Sequence, residues 1–124
     1  CGGLTGEPGT VLYGGPMMGN CLAALDQPIL KNNNAILAFS EKASHLPKPT
    51  NCIHCGRCTN ACPLGLSAKE IVQAYQDGNV DLLKELNADL CMSCGTCSFV
   101  CPAKRPLAPS IALAKIMMKN GGKK

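Results

Sequence analysis

Apolar positions follow two different rhythms along the chain. From residue 1 to 50, short apolar runs are broken by Gly2, Gly3, Gly6, Pro8, Gly9, Gly14, Gly15, Pro16 and Gly19, which is how turns and brief strands read. Residues 10–13, 27–30 and 35–39 are the candidate strands. Asn32, Asn33 and Asn34 tolerate left-handed turn conformations, so a hairpin is expected between the last two. Two strands alone are marginal in water. This half is therefore expected to belong to a larger β domain whose earlier strands lie upstream of Cys1, or to pack against the later part of the chain. Pro47 and Pro49 then mark an extended linker.

Beyond residue 60 the rhythm becomes helical. Ser67 and Glu70 have capping-box spacing, Ile71, Ala74 and Tyr75 share one face, and Gly78 supplies a left-handed stop. A second helix is predicted over 80–86, capped by Asn79, with Leu82, Leu83 and Leu86 facing inward. A third is predicted over 110–120 and ended by Gly121-Gly122. Ile111, Ala114 and Met118 lie on one side of it, Met117 widens the stripe, and Lys115 and Lys119 suit the negative end of the helix dipole.

Cysteine changes this picture most. The chain of 124 residues holds 10 cysteines, and eight fall in two runs of one spacing. The first is Cys52-Ile-His-Cys55-Gly-Arg-Cys58-Thr-Asn-Ala-Cys62-Pro63. The second is Cys91-Met-Ser-Cys94-Gly-Thr-Cys97-Ser-Phe-Val-Cys101-Pro102. Cys-x2-Cys-x2-Cys-x3-Cys-Pro is the ligand pattern of a protein holding two [4Fe–4S] cubanes, in which the fourth cysteine of each run serves the other cluster. Cluster I is thus expected on Cys52, Cys55, Cys58 and Cys101, and cluster II on Cys91, Cys94, Cys97 and Cys62. Gly56 and Gly95 sit inside the loops, where a side chain would obstruct the approach of backbone to cluster. Such a pair of clusters predicts an electron relay.

Composition bears on the alternatives. Hydrophobic residues make up 46% of the chain but aromatics only 3%, so a core must come from aliphatic side chains, and eight covalent ligands would staple a domain with so thin a core. Five disulfides are disfavoured because the chain shows no secretory signal and its cysteines repeat in metal-ligand spacing. A structural zinc module uses similar short pairs, but two complete runs with proline fit it poorly. The formal charge of +4 treats thiols as neutral, and two ligated clusters at about −2 each bring it to about zero, so no nucleic-acid partner is implied. The longest apolar stretches, such as 111–114, fall far short of the ~20 residues that span a bilayer.

The remaining candidates carry milder expectations. Cys1 and Cys21 read as ordinary thiols, His54 and Arg57 as exposed loop residues, and Ile53 and Phe99 as shields for a cluster or as core. Lys123 and Lys124 read as a charged tail. The stretch Gly14-Gly15-Pro16-Met17-Met18-Gly19 has the glycines of a ligand loop without the Lys-Ser/Thr of a P-loop, and neither a catalytic triad nor paired carboxylates are found. The 28 residues from 63 to 90 between the runs are long and helical, which favours an α-helical ferredoxin over the compact bacterial type.

These residues together resemble a known family, the C subunit of the Rnf ion-translocating ferredoxin–NAD oxidoreductase complex. The resemblance is carried by Val11-Leu-Tyr-Gly-Gly-Pro-Met-Met-Gly19, by Leu25-Asp-Gln-Pro-Ile-Leu-Lys31, and by the two cysteine runs with Cys101-Pro-Ala-Lys-Arg-Pro-Leu107. It implies a mainly α fold: an α-helical ferredoxin-type domain with two [4Fe–4S] clusters over 51–124, a proline-containing linker over 46–50, and the end of a β-grasp-like (SLBB) domain over 1–45. It further implies that the chain is a C-terminal fragment, since it begins at Cys1 rather than Met. FMN and NAD are then expected only upstream of it, with no substrate-converting site in this part. The implied partners are other iron–sulfur and membrane subunits, at the cytoplasmic face of the membrane. Alternatives are the tail of a related cobalamin-reducing flavoprotein of bacterial microcompartments and a stand-alone two-cluster ferredoxin.

Overall fold

The computed structural model describes residues 2–121, and these divide into two compact units at Pro47/Lys48. Cys1, Gly122, Lys123 and Lys124, and the expectations attached to them, lie outside the described residues.

The first unit is a three-stranded antiparallel sheet in the order β2-β1-β3, with β1 spanning Pro8–Tyr13, β2 Asn20–Cys21 and β3 Ile36–Ser40. β1 is central. Its Leu12 pairs with Cys21 on one side and Leu37 on the other, and the register with β3 slips between Pro8 and Thr10. The β1–β2 connection is tight enough to demand glycine, because a Cβ on Gly19 would stand 2.6 Å from the Gly15 carbonyl oxygen. The expected strand at 27–30 does not form. Asn33 closes a turn there instead, donating its backbone N–H to Leu30 O and accepting Leu30 N at its side chain. That satisfies locally the groups a strand would have paired. A short helix α1, Glu41–Ser44, follows, with Ser40 accepting from Ala43 N at 3.4 Å. Val11 is the one described residue of this unit that is buried.

The second unit is helical. α2 spans Arg57–Asn60, α3 Ala68–Gln76, α4 Val80–Glu85, α5 Thr96–Phe99 and α6 Leu107–Gly121, with a single 3-10 turn at Ala88–Leu90 before the second cysteine run. α3 buries Ala68, Ile71, Val72 and Ala74 against Leu107, Ile111 and Ala114 of α6, and Leu83 of α4 closes the same core. Ala74 and Ala114 are both fully buried, so small side chains let the two main helices approach closely. The periodicity over α3 and α4 agrees with these faces, and Asn79 Oδ1 accepts from Leu82 N at 3.0 Å as a cap. α6 begins three residues earlier than 110 because Pro109 falls in its first turn, where a missing N–H costs nothing.

Behind these elements lies a repeat offset by 39 positions. α2 and α5 share that offset, as do the starts of α3 and α6. Backbone bonds recur with it: Gly65 N to Cys62 O and Lys104 N to Cys101 O are both 3.1 Å. The helical unit is two copies of one run-and-helix element packed helix to helix.

Because Leu83 has no exposed surface, Leu83→Ala should leave a cavity and cost about 2–5 kcal/mol in urea unfolding of the chain. A loss below 0.5 kcal/mol would place the core elsewhere.

Candidate metal centre

Each cysteine run opens as a loop in which left-handed residues recur. His54 (φ 55°) and Ser93 (φ 57°) precede the second cysteine, and Gly56 (φ 72°) and Gly95 (φ 80°) follow it. This geometry bends the loop so tightly that its thiols turn to a common side, and one backbone N–H already points at sulfur: Ser93 N donates to Cys91 Sγ at 3.4 Å. At Gly56 nothing lies within 4 Å of where a Cβ would stand, so among the protein's own atoms it is the positive φ that favours glycine there rather than crowding. His54 and Ser93 hold the same region without glycine's freedom, at a cost of about 1–2 kcal/mol each.

Two cavities follow from the packing of these loops. Site I is lined by Cys52, Cys55, Cys58 and Cys101, and site II by Cys91, Cys94, Cys97 and Cys62. In each, the run supplying three cysteines is completed by the last cysteine of the other run, because α2 and α5 pack side by side and carry their ends across. Among the described residues no three His, Cys, Asp or Glu side chains converge closely enough for a single metal ion. The thiols instead surround a space, about 180 Å³ at site I and about 20 Å³ at site II. All nine described cysteines are free thiols, and Cys21, which belongs to the first unit, is not among the residues that line either cavity. Four soft sulfur donors around one space are the donor set of an iron–sulfur core.

The surroundings differ. Ile53, His54, Lys69, Glu70 and Arg105 also line site I, and Cys55 is exposed. Leu64, Leu66, Ala68, Met92 and Ile111 line site II, with no charged side chain among its walls, and Cys97 is buried. Burial pushes the Cys97 thiol up, while side-chain and backbone hydrogen bonding with Thr96 holds the Cys94 thiol below the ordinary cysteine value. Thr96 Oγ1 stands 3.4 Å from Cys94 Sγ.

Several sequence expectations are corrected here. Ser67 makes no side-chain cap bond; it and Glu70 face site I, so the capping box does not form. Phe99 is 72% exposed and lines neither cavity, so it is neither core nor a shield within this chain. Ile53 lines site I but is 67% exposed, and Arg57 is exposed beside it. Two contacts had no signal of their own in the sequence. Ser98 Oγ accepts from Ala108 N at 2.8 Å, capping α6, and Lys115 Nζ donates to Cys91 O at 2.8 Å.

A helical unit with two cavities, each walled by four thiols, presents the donor set of an iron–sulfur protein. In agreement, residues 48–105 match the family described as 4Fe-4S dicluster domain. The chain is 43% identical over 115 residues to the C subunit of the Na(+)-translocating ferredoxin:NAD(+) oxidoreductase complex of Acetobacterium woodii, covering 93% of this chain and 26% of that protein. It is 38% identical over 120 residues to the C subunit of the ion-translocating oxidoreductase complex of Methanosarcina acetivorans, covering 97% and 27%. The chain is therefore a relative of the C subunit of the Rnf-type ion-translocating oxidoreductases, matched over nearly all of its own length. It spans about a quarter of the length of those relatives. No helix of the described residues is long and apolar enough to cross a membrane.

The opposed thiol environments give a pH order. In the cluster-free chain, alkylation by iodoacetamide should rise at lower pH for Cys94, whose thiolate is favoured, than for Cys97, whose thiolate is penalised by burial. Peptide mass spectrometry across a pH series reads this order, and the opposite order would contradict the site II geometry.

Proposed function

We propose that this chain is an electron-transfer segment of an Rnf-type complex, passing single electrons through two [4Fe–4S] clusters. Cluster I sits on Cys52, Cys55, Cys58 and Cys101, and cluster II on Cys91, Cys94, Cys97 and Cys62. The observation that carries this reading is the partition of eight thiols into two cavities, each completed from the opposite run. Each cluster, when bound, takes up and releases one electron. The chain's own part is to hold it by thiolates, offer loop N–H groups to sulfur and, at site II, exclude water with Leu64, Leu66 and Ile111.

Residues 51–124 then form the two-cluster ferredoxin domain, joined through 46–50 to residues 1–45 as the end of an SLBB-type domain. That reading of the first part is supported by its three-stranded sheet with one buried residue, which is too little core for independent stability. FMN and NAD chemistry lies outside this chain, and no substrate is converted within it. Its partners are the other iron–sulfur and membrane subunits, and its place is peripheral, at the cytoplasmic face of the membrane. The names of the relatives, which describe subunits of ferredoxin:NAD(+) and ion-translocating oxidoreductase complexes, support the assignment.

Anaerobically reconstituted chain should contain about eight iron and eight acid-labile sulfide, with coupled EPR signals after reduction. Cys101→Ala should remove or alter the signal of the cluster otherwise held by Cys52, Cys55 and Cys58. A colourless zinc protein would overturn the relay, and a change confined to the other signal would overturn the crossed assignment.

A further inference from the structure

α6 does more than close the core. Of the side-chain hydrogen bonds in the helical unit, two span more than four residues, Ser98 to Ala108 N and Lys115 to Cys91 O, and both tie α6 to the second cysteine run. The first run has no such side-chain tie among the described residues. The Lys115 bond is the longer in sequence, joining positions 24 apart at 2.8 Å, and it is partly shielded from solvent.

Its placement is specific. Cys91 is the residue at which the 3-10 turn ends and the run begins, with its N–H donated to Ala88 O and its sulfur accepting from Ser93 N. The Lys115 ammonium thus grips the carbonyl of the same residue whose thiol walls site II. No Asp, Glu, Lys, Arg or His lines that cavity, and Lys115 is the charged side chain among the described residues that hydrogen-bonds to one of its lining residues. No carboxylate neutralises it at ion-pairing distance among the described residues, where Lys84–Asp81 is the ion pair found. Asp89 shares the outer surface with Lys115, but so do Lys84 and Lys119, and that surface is net basic.

We infer that Lys115 is a positioning residue for site II, fixing the entry of its loop and stabilising the extra negative charge that a one-electron reduction places there. This rests on the two-cluster reading proposed above. Addition of one electron makes the site more negative by one unit, with no bond made or broken in the chain and no proton required. A cation held a few bond lengths away favours that state, and it lies inside the ~10 Å within which charges interact at moderate ionic strength. Apolar walls strengthen the interaction, because the effective dielectric is lower than in water. Site I has no equivalent bond among the described residues, and its larger cavity is lined by Lys69 and Arg105 beside Glu70. The repeat therefore places the cation differently in its two copies.

The test is an EPR-monitored dithionite titration of the reconstituted full chain as wild type, Lys115→Arg, Lys115→Gln and Lys115→Met, with Cys97→Ser used to assign the site II signal. At the potential that half-reduces wild-type site II, the reduced-to-oxidised ratio should fall on the order of tenfold in the Gln and Met variants. The Arg variant should stay near wild type, and the site I signal should move little in all three. Gln keeps a donor without the charge, so a wild-type ratio in Gln together with a fall in Met would overturn the charge role and leave only the hydrogen bond. Unchanged ratios throughout, or equal shifts at both sites, would overturn the inference entirely. If Met fails to hold iron, the Arg and Gln pair still decides. A wild-type chain that binds no iron would instead defeat the two-cluster reading, and iron and sulfide analysis separates the two failures.

Discussion

The crossing of the last cysteine of each run into the opposite cavity is the constraint on which the helical unit depends. Cys62 ends one run yet walls site II, and Cys101 ends the other yet walls site I. For both crossings to hold at once, α2 and α5 must lie side by side, and the helices that come after them, α3 and α6, must leave in equivalent directions and pack on each other. The aliphatic core of Ile71, Leu83 and Ile111 is therefore placed by the same geometry that gathers the thiols. A packing error at α3–α6 would open the sites, and a lost thiol would weaken the tie between runs.

How much of this could be read from residue types follows from the range of each interaction. The α4 cap at Asn79 and the buried faces of α3 are local patterns, and the structure carries them as expected. The capping box failed because local spacing competes with position: Ser67 and Glu70 line a cavity whose other walls come from both cysteine runs, from Cys52 to Leu107. The strand at 27–30 failed for the opposite reason, since the adjacent Asn33 offered its backbone groups a closer partner. In the sequence, Lys115 reads as a helix-dipole residue. Its bond to Cys91 depends on the docking of α6 on the 3-10 turn, which nothing within either segment announces.

The two units differ in what holds them. The sheet has strands of two to six residues and one buried side chain, Val11, so its stability rests on ladder hydrogen bonds and turns such as that at Gly19. Ladder bonds replace bonds to water and contribute little net stability each. The helical unit buries a continuous aliphatic set and would gain further from eight thiolate–iron bonds under the proposed ligation. Under that ligation, stability and redox chemistry would be concentrated in the same part of the chain.

A duplicated backbone with unlike side chains has a functional consequence. The 39-position offset gives both sites the same left-handed turns and the same crossed cysteine, although the spaces they enclose differ, about 180 Å³ against about 20 Å³. The substitutions between copies fall on what surrounds the thiols: His54 against Ser93, Arg57 against Thr96, and Gly65 against Lys104. Thr96 accordingly tunes Cys94 by hydrogen bonding, whereas Arg57 at the matching position is exposed. Charge and solvent near a cluster shift its potential more readily than backbone shape does. Like scaffolds with charged side chains among the walls of one site and none among those of the other would therefore hold two clusters of unequal potential, the condition under which an electron has a preferred resting place between them.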